Sequence, residues 1–118
     1  MDWKAIFDHL KQGGFCVYAP GQHQGLCLES YLVLLNNGTG IDYSLERREY
    51  EILVYCPYEE YSEFETFINR VKNHMNRLFP AVILIDGEQP HYPDDDLKAY
   101  MTSLIYTVHK PSQINRMN

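Results

Sequence analysis

The sequence predicts one two-layer α+β domain, in which two helices cover one face of a largely antiparallel sheet of four to five strands. A chain of 118 residues is long enough for one hydrophobic core and too short for two. Two segments carry apolar residues at helical spacing, and five carry strand signals. Turn residues join most neighbouring strands, which favours antiparallel pairing. The predicted element order is α-β-β-β-α-β-β.

The first predicted helix runs from about Asp2 to Gln12. Asp2 is a suitable N-cap because its carboxylate can accept a hydrogen bond from a backbone amide of the first turn. The Gly13-Gly14 pair provides a natural end. A helix this short does not persist alone, so its apolar face must pack on the sheet. That face consists of Trp3, Ile6, Phe7 and Leu10.

The second predicted helix follows a capping box in which Ser62 is the cap and Glu65 reaches back to it. Lys72 and Arg77 lie towards its carboxyl end, where the helix dipole favours positive charge. Pro80 ends it. One continuous apolar stripe is expected to face the sheet, and it consists of Phe64, Phe67, Ile68, Val71, Met75 and Leu78.

Strand signals occupy five segments of the chain. The run from Asn36 to Gly40 is rich in residues that tolerate positive φ and predicts a turn between two of them. Gly87 to Asp96 predicts a polar hairpin loop. The last strand is long enough to accommodate a bulge. The predicted strands are Phe15 to Ala19, Leu26 to Leu35, Arg47 to Cys56, Ala81 to Asp86 and Leu97 to His109.

Residues 1–110 are predicted to form the domain and residues 111–118 a polar tail. The net charge is −6, and an acidic chain is a poor candidate for wrapping nucleic acid. The longest apolar run, Ala81 to Ile85, is far shorter than a membrane span, and the first residues lack the pattern of a signal peptide. Neither a membrane nor a secretory role is therefore expected.

The three cysteines, Cys16, Cys27 and Cys56, are predicted to be reduced thiols. Their odd number and the lack of a C-x-x-C pair argue against a disulfide framework and against a zinc site. A Cys–His nucleophile pair stays open at this stage, because such partners meet in space and not in sequence. No cysteine has a local catalytic signature, so a hydrolase is the least favoured interpretation.

The carboxylate cluster Asp94-Asp95-Asp96 is the main candidate for binding a metal ion, with Asp86, Glu88 and His91 nearby. Calcium and magnesium prefer such oxygen ligands, but the spacing matches no EF-hand loop, and we favour a solvated hairpin loop. The chain also lacks phosphate-binding and nucleophile-elbow motifs. We therefore expect no enzyme, no metal and no cofactor.

The segment Glu46-Arg47-Arg48-Glu49 places mixed charge at the start of a strand. One interpretation is protection of a sheet edge against aggregation. The other is a contact with acidic residues of a neighbouring subunit, such as those around Asp94. The sequence leaves both open.

Four segments in order carry a resemblance over nearly the whole chain: GFCVYAP after the glycine break, RREYEILVYCP, the helix YSEFETFINRVKNHMNRL, and AVILID followed by a polar loop and LKAYMTSLIYTVHKP. In the order, length and general composition of these segments, the chain resembles the tail-terminator (tail-completion) proteins of long-tailed bacteriophages and of prophage-derived tail-like particles. Small head–tail joining proteins are a nearby alternative.

The resemblance implies a structural virion protein, assembled in the bacterial host cytoplasm, that forms a ring at the junction of tail and head. Such rings are typically hexameric; they terminate the tail tube and join the tail to the head. The implied partners are further copies of the chain, the tail-tube protein and the head–tail connector proteins. DNA would pass through the ring without specific binding, which an acidic wall favours.

The family's ring contacts usually come from sheet edges and loops. The matching elements here are the Asn36–Gly40 turn, the charged strand start and the Gly87–Asp96 loop. A ring needs one patch to meet a different patch on the next copy, and arginines facing aspartates would satisfy this. The candidate interface residues are Asn36, Asn37, Arg47, Arg48, Asp94 and Asp95. The alternative function is a small ligand-binding or protein-interaction domain without catalytic activity.

Overall fold

The computed structural model describes residues 1–23, 25–42, 45–58 and 60–111. The main elements are α1 (Trp3–Gln12), β1 (Val17–Tyr18), β2 (Tyr31–Asp42), β3 (Leu45–Pro57), α2 (Tyr61–Met75), β4 (Ile83–Glu88), β5 (Tyr92–Asp94) and β6 (Ala99–Pro111). A short 3-10 turn, Asn76–Leu78, follows α2. The fold class is α+β, as predicted.

The strands form one sheet in the order β1-β2-β3-β6-β4, and β5 also pairs with β6. β1 runs parallel to β2, whereas all the other pairs are antiparallel. The three long strands β2, β3 and β6 form the centre of the sheet. Among the described residues the sheet has six strands, one more than predicted. The additional strand is β5, which lies in the predicted polar loop and whose three residues are too few to give a recognisable pattern.

Both helices cover the same face of the sheet, as the apolar spacing predicts. Asp2 caps α1 by accepting a hydrogen bond from the Ala5 amide at 2.9 Å. Ile6 and Leu10 are fully buried, and the Trp3 indole donates to the Leu34 carbonyl of β2 at 2.9 Å. The stripe of α2 and the inward side chains of β3 complete the core. Its buried members include Phe64, Phe67, Ile68, Val71, Met75, Tyr50, Ile52, Val54 and Cys56.

The predicted turn at Asn36–Gly40 is wrong, because β2 continues through it to Asp42. The pairing with β3 shifts between Asn36 and Gly38, so Asn37 is an extra residue in a β-bulge. Gly38 has a φ of 97°, which explains the turn-like composition. The same conformational freedom that a tight turn needs is used here by a bulge.

Three smaller predictions also need correction. Glu60, not Ser62, is the residue before α2, and no side chain caps that helix end. The expected irregularity lies in β4, where the register with β6 shifts between Ile85 and Glu88. β6 extends to Pro111, one residue into the predicted tail, whose residues 112–118 lie outside the described residues.

The opposite face of the sheet carries a second, smaller apolar cluster, located where β2 and β6 begin and β3 ends. Its buried members are Cys27, Tyr31, Tyr55 and Ala99. The segment before β2 folds over this region, and the Cys27 amide donates to the Leu97 carbonyl at 2.8 Å. Half-buried side chains border the cluster, among them Val33, Leu53 and Met101. The face that the helices leave uncovered is therefore partly apolar.

Candidate interaction surfaces

The predicted arginine pair is divided between the two faces of the sheet. Side chains alternate along β3, so Arg48 shares a face with the core residue Tyr50, whereas Arg47 lies on the opposite face. Arg48 Nη1 donates to Asn36 Oδ1 at 3.2 Å. Arg47 is paired with Gly40, and a Cβ at Gly40 would lie 3.3 Å from Arg47 Nη2. Both guanidinium groups therefore extend sideways over β2.

The bulge of β2 fixes the two predicted asparagines by different hydrogen bonds. Asn36 Oδ1 accepts from the Gly38 amide at 3.0 Å as well as from Arg48. Asn37 Nδ2 donates to Glu51 Oε1 at 3.1 Å. Asn36, Asn37 and Gly38 are exposed. The bulge thus forms an ordered polar surface at the edge of the sheet.

The predicted aspartates already serve as acceptors within the chain. Asp94 Oδ1 accepts from the backbone amides of Asp96 at 3.1 Å and Leu97 at 3.2 Å, which fixes the turn between β5 and β6. Asp95 Oδ1 accepts from the Tyr58 hydroxyl at 2.7 Å. Partial burial and the neighbouring Asp95 carboxylate raise the pKa of Tyr58 to about 12. The loop is held against the end of β3.

The arginines and the aspartates lie at opposite ends of the central strands. Asp94 pairs with Ala99, which in turn pairs with Pro57 at the end of β3. Nine residues separate Pro57 from Arg48 along that strand, which corresponds to about 30 Å at roughly 3.3 Å per residue. The two groups do not meet within one chain. A direct contact between them requires two copies joined end to end.

An aromatic stack lies on the second face of the sheet. The rings of His23 and Tyr31 are stacked at 3.9 Å between centroids, and those of Tyr31 and Tyr55 at 4.7 Å. Burial raises the pKa values of both tyrosines, so their phenols stay protonated at neutral pH. Nearby Leu28 is 85% exposed. The stack is an aromatic surface and carries no charge from its tyrosines.

A polar network that sequence reasoning missed joins the β4–β5 loop to α2. His91 hydrogen-bonds through one ring nitrogen to Glu88 and through the other to the Tyr61 hydroxyl. Lys72 Nζ donates to Glu88 Oε1 at 3.1 Å. Burial acts to raise the pKa of Glu88, but the hydrogen bonds from His91 and Lys72 outweigh it and the pKa is lowered.

Only part of this network had a visible signal in the sequence. Glu88 and His91 are three residues apart, but Tyr61 lies on a separate element. Partial burial and nearby carboxylates raise the pKa of the Tyr61 phenol, which argues against its use as a nucleophile. The network is best explained as a contact that positions the loop.

A cleft of about 520 Å³ opens between α2 and the segments at Gly14–Cys16 and Glu29–Ser30. The Arg70 guanidinium lies over the rings of Phe15 and Phe67, at 5.3 and 5.9 Å from their centroids. Cys16 and Cys56 also line the cleft. Its volume is in the general range of small-molecule sites, but its mouth is open to solvent.

The thiols of Cys27 and Cys56 are enclosed within the fold. Burial raises the pKa of the Cys27 thiol to about 11, and its Sγ donates to the Glu29 carbonyl at 3.2 Å. Cys56 is buried, and its Sγ accepts from the Ser30 hydroxyl at 3.3 Å. Reactive cysteines have lowered pKa values and exposed sulfur atoms. Cys27 has neither property, and Cys56 is buried.

Within residues 1–23, 25–42, 45–58 and 60–111, no group of three His, Cys, Asp or Glu side chains is arranged to hold a metal ion. The helices of that same part of the chain are too short or too polar to cross a membrane. No protein-family model matches the chain, and no curated protein matches its sequence.

Proposed function

We propose that this protein is a structural assembly protein that forms a ring of identical copies, as the tail terminators of long-tailed phages do. In this role it caps the tail tube and provides the surface that joins tail to head. One observation carries the proposal. The chain presents ordered polar surfaces of different charge at distant places, with Arg47 and Arg48 between two glutamates at one end of β3 and Asp94 and Asp95 at the other.

Distant complementary surfaces suit heterologous contacts, in which one patch meets a different patch on the next copy. Contacts of this kind close into a ring when the rotation between copies is a whole fraction of a turn. A two-fold dimer, in which the arginine end of each copy meets the aspartate end of the other, would satisfy the same charges twice, so the number of copies is measured by the mass in solution. The acidic net charge of −6 also suits a channel wall through which DNA passes.

The arginines are tested by removing their charge. In the double variant Arg47→Gln/Arg48→Gln, whose amide side chains can still donate hydrogen bonds, assembly is expected to be lost while the circular dichroism spectrum and melting temperature stay close to those of the wild type. The matched control is Lys4→Gln/Lys11→Gln, which makes the same change in net charge on the exposed side of α1. The control should assemble normally. Normal assembly of the arginine variant would remove these residues from the interface.

The second candidate function is binding of a small molecule in the cleft beside Arg70. The specific observation in its favour is the guanidinium held over two aromatic rings, which leaves its edge available to a carboxylate or phosphate. Thermal shifts measured with a panel of organic anions test it. A stabilisation that disappears in Arg70→Gln would favour this function, and no stabilisation by any anion would exclude it.

A further inference from the structure

The outer edges of the sheet offer a specific way for two copies to join. β1 pairs only with Leu32 and Val33. Within the described residues, the edge of β2 that follows Val33 in the chain has no strand beside it. On the far side of the sheet, β4 pairs with β6 and with no other strand in the part of the chain that the structure describes. Unpaired edges carry backbone N–H and C=O groups that can pair with another chain. On the β2 edge the Leu34 carbonyl already accepts from the Trp3 indole and the Gly38 amide already donates to Asn36 Oδ1, so a further strand would pair at Asn36.

The pairing registers place these two open edges at the same level along the strands. Ile85 pairs with Ile105, Ile105 with Glu51, and Glu51 with Leu35. By the same steps Leu84 is level with Asn36, and Ile83 is level with Gly38. The stretch of β2 that the short β1 leaves open is therefore level with the edge strand β4 on the other side of the sheet.

The strand directions match as well. β2, β3, β6 and β4 are successively antiparallel, so β4 runs opposite to β2. A rotation about an axis along the strands keeps these directions. It brings β4 of one copy beside β2 of the next in antiparallel pairing, with the helices of both copies on the same side of the joined sheet.

The side chains at the two edges are complementary. The Arg48 guanidinium lies on Asn36 at the β2 edge, and the exposed acidic residue Asp86 directly follows the open stretch of β4. Beside β4, Phe79 is 61% exposed and Ile83 is 38% exposed. Apolar surface of this kind next to an open strand is what a neighbouring copy would cover.

We infer that β4 of one copy pairs in antiparallel fashion with the open edge of β2 in the next copy, so that the ring contains one sheet continuous from subunit to subunit. This inference rests on the proposed assembly function and specifies its contact. It differs from a direct contact between Arg47 and Asp95, which needs a shift of about 30 Å along the strands. A cross-link distinguishes the two arrangements.

The test is disulfide trapping in a Cys16→Ser background. Leu35→Cys and Ile85→Cys lie level and on the same face, and opposite residues of antiparallel strands have Cα atoms about 4.5–5.5 Å apart, which suits a disulfide. The double variant should give a ladder of covalent multimers under mild oxidation. A mixture of the two single variants should stop at dimers, because each chain then carries one interface cysteine.

Two further pairs serve as controls. Leu35→Cys/Ile83→Cys is displaced by two residues and should cross-link much less. Arg47→Cys/Asp95→Cys reports the end-to-end contact. Assembled protein that yields a ladder only from the end-to-end pair, or from no pair, overturns the edge inference and leaves the assembly function standing. A chain that stays monomeric up to its solubility limit overturns both.

Hydrogen exchange of the unmodified protein provides a second measurement that needs no variant. Amides alternate in direction along a strand, and those of Asn36 and Leu84 point away from the sheet, whereas those of Leu35, Ile83 and Ile85 point into it. The amides of Asn36 and Leu84 should therefore be protected in the assembled state and exchange faster in the dilute monomer. Equal exchange of these amides in the two states would contradict the edge pairing. Protection confined to the Asp94–Leu97 turn would favour the end-to-end contact.

Discussion

Removing the side chain of Ile68 tests the account of the core most sharply. Ile68 lies in the middle of the α2 stripe and is 1% exposed. Truncating a buried isoleucine to alanine costs about 2–5 kcal/mol, because the apolar contact is lost and a cavity stays behind. That is a large part of the roughly 5–15 kcal/mol by which a domain is stable. Ile68→Ala should therefore fold but unfold much more easily.

For a chain of 118 residues, 1 kcal/mol corresponds to about 4 °C in melting temperature. Ile68→Ala should thus melt about 8–20 °C below the wild type, as measured by circular dichroism. Ile68→Asp should not fold, because it buries an unpaired carboxylate. The control is Asn69→Ala, at the exposed next position, which should change stability by less than about 0.5 kcal/mol. Equal melting of Ile68→Ala and Asn69→Ala would refute the assigned helix face.

Three further predictions concern single contacts. The pKa of Glu88 is lowered in the folded state, so Glu88 stabilises the fold above its ordinary pKa of 4.5, and this stabilisation is lost as the pH falls through the folded-state pKa. Urea unfolding at a series of pH values should show that Glu88→Gln loses less stability in acid than the wild type does. Identical pH profiles of the two proteins would contradict this. Cys27 should react with a thiol reagent at pH 8 far more slowly than the half-buried Cys16, and rapid labelling of Cys27 in folded protein would be incompatible with its burial. Gly13→Ala should lower the free energy of unfolding, because the new Cβ would lie 2.7 Å from His74 Nε2. The same substitution should cause no loss of stability in a His74→Ala background, and an equal loss in both backgrounds would show that His74 is not the cause.

The sequence was sufficient to predict the elements whose signal is local and repetitive. The apolar spacing of α1 and α2 and the alternation around Tyr50, Ile52 and Val54 correspond to the buried residues observed. Periodicity reports which face meets the core, and the core of a small domain leaves few alternatives for packing. The fold class followed from these signals.

The errors arose where one local conformation serves several structures. A glycine with positive φ suits a turn and a bulge equally well, so Gly38 did not identify its own context. The capping box spacing at Ser62 is satisfied by many residues that lie inside a first turn, as Ser62 does. The outcome at such positions depends on long-range pairing, here between Asn36 and Tyr50, which the local sequence does not report.

The sequence identified residues of the candidate surfaces but not how these residues are arranged in space. Arg47 and Arg48 are adjacent in sequence, yet strand alternation places them on opposite faces of the sheet. The open edges of β2 and β4 depend on the lengths of β1 and on the order of the strands, neither of which periodicity determines. The hydrogen bond between His91 and Tyr61 joins residues thirty positions apart and has no sequence signal.

The native mass in solution decides whether this protein assembles into rings. Light scattering across a concentration series should show one discrete species at a whole-number multiple of 13.9 kDa, and the resemblance to tail terminators implies six copies. Electron microscopy of that species should show closed rings. A mass of one chain at every concentration, or an open-ended distribution without closed rings, would contradict the assembly function proposed for this protein.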